Sequence, residues 1–315
     1  MPVDTLYAYQ PALWLRNGHV NTMSAYFLRN PDQPKFQRER ISTPDGDFLD
    51  LDFLKGGHRQ LAILLHGLEG SSSSQYILGI APLLFEKGYD VLAMNHRSCS
   101  GEINKKRNFY HSGFIDDFEY LLEKYGVEYE EMIAVGYSLG GNVVLRYAGL
   151  RQNHVHPRLS KIFSVSAPCD LEGSSKSLLR PFNRVYTDNF LKTLKKKITL
   201  KAKIIEDIPL DAWTNVKTLW DFDEYFTASL HGFRDARDYY RTCSSLSLLQ
   251  DIKVPTWLIS SADDPFLSPS CLPFDSAESN PYFTFIPQKY GGHVGFFAGK
   301  KESFADKTIL RLLEK

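Results

Sequence analysis

Cysteine is scarce and scattered in this chain. Cys99, Cys169, Cys243 and Cys271 are spread through 315 residues, and no two form a CxxC pair. That excludes a zinc ribbon and a thioredoxin-like redox motif, and so few cysteines fit a reducing compartment. An excess of one charge is also missing, because 37 Lys and Arg balance 37 Asp and Glu. Such a balance gives no footprint for nucleic acid as a partner. No apolar run approaches the ~18 residues of a membrane-spanning helix. The amino terminus lacks a basic stretch followed by an apolar core, and no N-x-[ST] sequon occurs. The expectation is a soluble cytoplasmic protein without signal peptide or transmembrane segment. His and Asp residues do not recur at metal-ligand spacing, so neither a metal nor an organic cofactor is expected.

What is present is ample apolar material. Hydrophobic residues make up 43% of the chain, enough for a sizeable core. Residues 1–35 read as an irregular arm, with Trp14 and prolines at 2, 11, 31 and 34. "FQRERIST" and "DFLDLDFL" alternate around the turn signal "PDG" at 44–46 and read as a β-hairpin. Short apolar runs follow at 61–67, 89–95, 131–137, 159–167, 255–262 and 282–287. Runs of this kind fit strands buried on both faces of a parallel sheet. Helix-length segments lie at 73–87, 112–125, 139–150, roughly 235–250 and 298–314. The alternation implies one α/β domain over 1–315, with a mostly parallel central sheet and helices on both faces. Residues 170–234 break the rhythm. They are helix-compatible and lack a buried strand, so they read as a helical cap inserted between sheet strands.

The stretch "AVGYSLGGNVV" at 134–144 carries the chemistry. A strand runs into Gly136-Tyr137-Ser138-Leu139-Gly140, and an apolar helical segment follows. Gly-x-Ser-x-Gly in that setting is a nucleophile elbow. The turn strains its central residue, so the flanking side chains at 136 and 140 must vanish. The hydroxyl is left exposed at a helix N-terminus, where backbone N–H groups favour developing negative charge.

A serine hydroxyl needs a base, and the base needs an orienting carboxylate. The expected order is Ser, then Asp or Glu, then His. "ADDPF" follows one strand with Asp263 and Asp264, and "YGGHVGF" follows the next with His293. Asp264 is taken as the acid because it precedes the proline, with Asp263 shaping the loop. Asp170 is a weaker candidate. The loop "LHGLEGSSSSQY" at 65–76 supplies the second oxyanion donor. Gly67 lets its backbone approach the substrate, so that the N–H groups of Leu68 and Leu139 point to one place. "GLEGSSSS" lacks the G-K-[ST] ending of a phosphate loop. His66 is read as holding the loop.

These stretches resemble the YheT-like branch of the α/β-hydrolase superfamily, which is similar to animal α/β-hydrolase-domain proteins acting on acylglycerols and phospholipids. The resemblance is carried in order by "RNGHVNT" (16–22), "PDGDFLDLDF" (44–53), "HGLEGSS" (66–72), "NHRSCSGEINKKRNFYHSG" (95–113), "GYSLGGN" (136–142), "HGFRDARDYYR" (231–241), "ADDPF" (262–266) and "GGHVGF" (291–296). It implies the α/β-hydrolase fold, hydrolysis of carboxylic esters, and Ser138, Asp264 and His293 as the triad. Where the family tends to have Arg-Gly-Cys-Ser-Gly, this chain has "RSCSG", with Ser98 in place of a glycine.

The expected activity is cleavage of short- to medium-chain acyl esters or acylglycerols, small-molecule or lipid-like, through an acyl-enzyme. Thioesterase, amidase and lipase action on the same triad, and a silent binding scaffold, are the rival readings. Arg97 and His111 are read as making loop hydrogen bonds beside the site or, alternatively, as lining the acyl or leaving-group pocket, and Cys99 as a small loop residue. The basic run 192–203 is read as a solvated helix face, with peripheral membrane contact as the alternative reading. Trp213, Trp220, Phe222, Tyr225 and Phe226 are read mainly as cap core, with one or two of them lining an acyl channel.

Overall fold

Six apolar runs and the amino-terminal hairpin pair into a single eight-stranded sheet. They do so in a computed structural model that describes residues 3–314. The strands are β1 (Gln37–Ser42), β2 (Phe48–Leu54), β3 (Gln60–Leu65), β4 (Tyr89–Met94), β5 (Glu131–Tyr137), β6 (Leu159–Val165), β7 (Thr256–Ser261) and β8 (Phe283–Gln288). Their order across the sheet is β1-β2-β4-β3-β5-β6-β7-β8. The β1–β2 and β2–β4 pairs are antiparallel and all the others are parallel. This is the mostly parallel α/β sheet expected from the alternation of runs.

The apolar runs are continuous because both faces of the sheet are covered, and successive residues still alternate between faces. Ile63, Leu92, Met132 and Ala134 pack with α3 (Asp116–Tyr125) and α4 (Leu139–Arg151). Ala62, Leu64, Val91, Ile133 and Val135 pack on the opposite face with α2 (Gln75–Glu86) and α10 (Phe304–Leu313). Between β6 and β7 the chain runs through α5 (Leu171–Leu178), α6 (Arg184–Lys201), α7 (Leu219–Phe222), α8 (Ala228–His231) and α9 (Ala236–Cys243), with no strand among them.

Two helices differ from the pattern expected of the sequence. The arm is not wholly irregular, because Gly18–Leu28 forms α1, started by the Asn17 side chain accepting the Val20 N–H. The last helix starts at Phe304 rather than 298. Ser303 and Asp306 form a reciprocal capping box there, which ends the preceding loop. A third segment, 235–250, splits into α9 and a 3-10 turn at Leu246–Asp251. Among the described residues no helix is long and apolar enough to cross a membrane.

Parallel strands leave their carboxyl ends on one edge of the sheet, where an α/β fold collects its functional loops. The loops after β3, β5, β7 and β8 meet at that edge, and they carry the residues singled out by motif.

Candidate active site

Ser138 joins β5 to α4 with φ 51° and ψ −117°, a strained conformation for a residue bearing a Cβ. The glycines beside it explain how the chain tolerates this. A Cβ on Gly136 would sit 2.3 Å from the Gly140 carbonyl oxygen. One on Gly140 would lie 2.5 Å from the Leu65 carbonyl oxygen. A side chain at 136 would force the start of α4 away from the end of β5, and one at 140 would push the elbow off β3. Gly67 approaches from the β3 loop, where its Cβ would stand 3.0 Å from that of Ser138.

Three side chains form an unbroken hydrogen-bonded line. The Ser138 hydroxyl donates to His293 Nε2 at 2.8 Å. His293 Nδ1 donates to Asp264, 2.9 Å to Oδ2 and 3.2 Å to Oδ1. Asp264 Oδ1 also accepts the Phe266 N–H at 2.8 Å, which fixes the carboxylate. Asp263 faces away from the imidazole and accepts the Gly292 N–H at 2.9 Å, shaping the loop before His293. Asp170 lies elsewhere, capping α5 through the Gly173 N–H and accepting the Ser270 hydroxyl. His293 and Asp264 are both buried, whereas Ser138 is partly open.

Two residues outside the expected set position the imidazole. Phe266 stacks on its ring at 4.1 Å. Thr22, on α1, accepts the His293 backbone N–H at 2.8 Å. Both lie in quoted motif stretches, "ADDPF" and "RNGHVNT", so the signal was present, but their roles depend on distant parts of the chain.

The β3 loop is locked from below and from α6. His66 Nδ1 donates to the Gly67 carbonyl at 2.7 Å, and its Nε2 accepts the His96 N–H at 3.1 Å. Glu69 follows Leu68 with φ 56° and is clamped by Tyr110 at 2.9 Å and by Lys197 of α6 at 2.7 Å. Leu68 and Leu139 line the same cavity as Ser138 and His293. As the first residue of α4, Leu139 has an N–H without an intrahelical acceptor.

The cavity runs from Ser138 into the helices between β6 and β7. Leu139, Leu178, Phe190, Leu194, Leu219 and Phe222 form apolar wall, and Asp223, Tyr240, His111 and His231 add polar groups. A π-turn at Asp223–Thr227 joins α7 to α8. Such a bulge re-aims side chains in an otherwise regular helix. The Asp223 carboxylate accepts the Tyr240 and Thr227 hydroxyls, at 2.7 and 2.6 Å.

Some surrounding residues depart from expectation. The run 192–203 is not a uniformly solvated face. Lys192, Lys195 and Lys196 point outward, but Lys197 pairs with Glu69 and Lys201 is fully buried on the Asn104 carbonyl. Burial brings the Lys201 ammonium down to about 8. His111 lines the cavity, whereas Arg97 is held in a buried carboxylate cluster. Cys99 contacts Lys197 at 3.1 Å, and burial raises its thiol, which argues against a reactive thiolate. Ser98 adopts φ 65°, the left-handed region a glycine would enter freely. Its hydroxyl donates to Asn104 Oδ1 and accepts the Asn104 N–H, holding that conformation. Among the described residues no group of His, Cys, Asp and Glu is arranged to hold a metal ion.

Burial keeps several histidines neutral, with a consequence for stability. The His66 imidazole is held well below its ordinary value, and those of His96 and His231 fall to about 4, chiefly by desolvation. The unfolded chain protonates these rings below about pH 6.5, whereas in the folded chain His96 and His231 take a proton only near 4 and His66 only well below its ordinary range. Stability is therefore lost as pH falls across that window, with His96 alone contributing on the order of 3 kcal/mol. Asp223 acts in the opposite sense. Burial raises its carboxyl to about 6, so its contribution grows as pH falls below that value. His111 is held low in the same way, and the four rings are set against Asp223 and the raised carboxyls of Asp117, Asp263 and Asp306, with the rings titrating across the whole window from about 6.5 down. The urea midpoint should fall steadily from pH 7 to about 4.5, and a level or rising profile would contradict the buried neutral rings.

The comparisons with known proteins point the same way as the fold. Residues 62–212 match the family model described as the alpha/beta hydrolase fold. YheT of Escherichia coli (strain K12), which carries an esterase's name, is 34% identical over 300 residues, covering 92% of this chain and 87% of that protein. The phospholipase ABHD3 of Homo sapiens is 26% identical, covering 97% of this chain and 78% of its own length. Among solved structures, the Pyrococcus furiosus esterase Pf2001 superposes with a TM-score of 0.58 at 18% identity. That match covers 92% of this chain and 97% of that one, and it speaks to fold alone.

Proposed function

The chain belongs to the YheT-like branch of the α/β-hydrolase superfamily and is a carboxylic ester hydrolase, and from that premise we propose that it acts through Ser138, His293 and Asp264. The observation that carries this reading is the line of hydrogen bonds from Ser138 Oγ through His293 to Asp264, lying at one end of an apolar cavity. His293 Nε2 takes the hydroxyl proton as Ser138 Oγ attacks the ester carbonyl carbon. The N–H groups of Leu68 and Leu139 hold the oxyanion. His293 then protonates the departing alcohol. Water repeats the sequence in reverse and frees the acid. Asp264 keeps Nδ1 protonated and stabilises the imidazolium. The glycines at 67, 136 and 140 are what allow the loops to close around the reacting carbon.

The substrate class proposed is a short- to medium-chain acyl ester or an acylglycerol. Its support is the cavity wall of leucines and phenylalanines, which suits an acyl chain. Thioesters and amides could use the same residues, and no side chain in the cavity favours them. Contact of 192–203 with a lipid surface draws support from the outward Lys192, Lys195 and Lys196.

The test is a ladder of p-nitrophenyl esters from acetate to palmitate, run beside matched thioesters and anilides. The ladder is repeated with Leu178→Trp, a half-buried wall residue whose larger ring enters the cavity. The variant should lose about tenfold or more on the longest ester that wild type accepts, with acetate turnover within about threefold. Equal losses along the ladder would remove the acyl chain from this wall.

A further inference from the structure

Helix α1 is turned inside out. Its buried positions are Gly18, Asn21, Ser24 and Ala25, all small or polar. Its exposed positions include Val20, Met23, Tyr26 and Phe27, with Phe27 68% exposed. A helix lying on a globular surface in water carries the reverse pattern. The inner face is explained by the loops it covers. Gly18 meets the Asp263 carbonyl with no room for a Cβ, Asn21 Oδ1 accepts the Phe297 N–H at 3.1 Å, and Thr22 holds the His293 backbone. No packing requirement of the chain accounts for the outer face.

The apolar surface continues onto the cap. The His19 ring stacks on Tyr186 at 5.9 Å and lies 6.1 Å from Phe182. Phe182 is 83% exposed, and Leu179 and Val185 beside it are also open. Single exposed apolar residues are ordinary, but a cluster spanning two elements marks an interaction surface.

Charge identifies the occupant. Residues 5–31 and 173–187 contain no Asp or Glu, while Arg16, Lys176, Arg180 and Arg184 lie among them. The nearest acidic residues of the cap, Glu172 and Asp188, cancel Lys176 and Arg184 in ion pairs, so the net positive charge of the patch comes from Arg16 and Arg180. The outward lysines of α6 extend the positive fringe. In a chain of zero net charge this is a local excess of one sign. Large apolar and aromatic side chains with a basic fringe match an apolar interior under an anionic rim. A second copy of the chain would bring the same positive fringe against itself.

We infer that the outer face of α1 and the cap edge from Leu179 to Val185 dock on an anionic lipid bilayer. Docking there turns the side carrying the His293 loop toward the lipid. The patch takes no part in the hydrolytic chemistry, so the inference stands or falls separately from it.

The experiment is flotation of the full chain with phosphatidylcholine vesicles, with and without phosphatidylglycerol at about a third of the lipid. Wild type should float with the anionic vesicles and stay behind with the neutral ones. The Phe27→Asp/Phe182→Asp double variant should lose about tenfold or more in partitioning. Its thermal midpoint and its turnover of a soluble p-nitrophenyl ester should match wild type, which separates docking from folding and from chemistry. Wild type that fails to float with anionic vesicles, or a double variant that floats as well as wild type, overturns the inference. So does sedimentation equilibrium that finds a wild-type dimer dissolved by the double variant, since the occupant is then a second copy.

Discussion

Ser138→Ala should abolish fluorophosphonate labelling and lower kcat/KM on a p-nitrophenyl ester by about 10⁴-fold or more. The variant loses the hydroxyl bonded to His293 Nε2, and the strained elbow offers no substitute. His293→Ala should fall by a similar factor, because an unactivated serine hydroxyl is a poor nucleophile at neutral pH. The double variant should be no worse than either single one. Residues that act as a unit lose their joint effect once, and the residual rate then comes from binding and oxyanion stabilisation alone. The two aspartates separate by geometry. Asp264→Asn replaces the acceptor of the Nδ1 proton and should cost about 10³–10⁴-fold by favouring the wrong tautomer. Asp263→Asn can still accept the Gly292 N–H and should cost about tenfold or less. Steady-state kinetics on the five variants, with circular dichroism to verify folding, decides the matter. Retention of more than about a tenth of activity in Ser138→Ala would remove that residue as nucleophile.

Arg97→Met should destabilise the fold by about 3–5 kcal/mol. The Arg97 side chain is 3% exposed and forms a bidentate pair with Asp117, at 2.9 and 2.7 Å. It also reaches Asp45 at 2.7 Å and Asp47 at 3.4 Å. The cluster ties the β1–β2 turn to the loop after β4 and to the start of α3. Methionine fills similar space but leaves Asp117 and Asp47 buried without their cation. Lysine should not rescue the loss, since one ammonium cannot reproduce the planar fork. The sign with pH follows from Asp117. Burial already raises its carboxyl, and losing Arg97 raises it further. A raised carboxyl contributes stability at low pH and loses it as pH rises, so the deficit should shrink on going from pH 7 to pH 5. Arg151→Met is the control. Its pair with Glu119 is more open to water, and its loss should cost about 1 kcal/mol or less. Urea denaturation of the three chains at both pH values measures these differences. A deficit in Arg97→Met no larger than that of the control would refute the account of the cluster.

The two outcomes bear on different levels of the chain. The elbow could be read from eleven residues because its causes are local. A strained turn admits glycine alone at Gly136 and Gly140, and a continuous apolar run before it means a strand covered on both faces. The same local logic located the eight strands and the helices that alternate with them, and the order of Ser138, Asp264 and His293 along the chain.

Other features followed from no local pattern. Helix α1 escaped notice because periodicity reports a helix only when its apolar side faces the core, and here small and polar residues face inward. Spacing and the following proline favoured Asp264, but only the turn after β7 aims that carboxylate at the imidazole and sends Asp263 to Gly292. The basic run 192–203 looked uniform, yet Lys197 and Lys201 turn inward. The carboxylate and carbonyl groups that receive them, Glu69 and Asn104, come from loops about a hundred residues or more away, where desolvating an ammonium can be offset by a ready-made partner. The sequence by itself determined the sheet, the elbow and the kinds of residue the chemistry needs. The tertiary structure decided which side chains point at one another, because burial and hydrogen bonding between distant segments are properties of the folded chain and leave no period in its sequence.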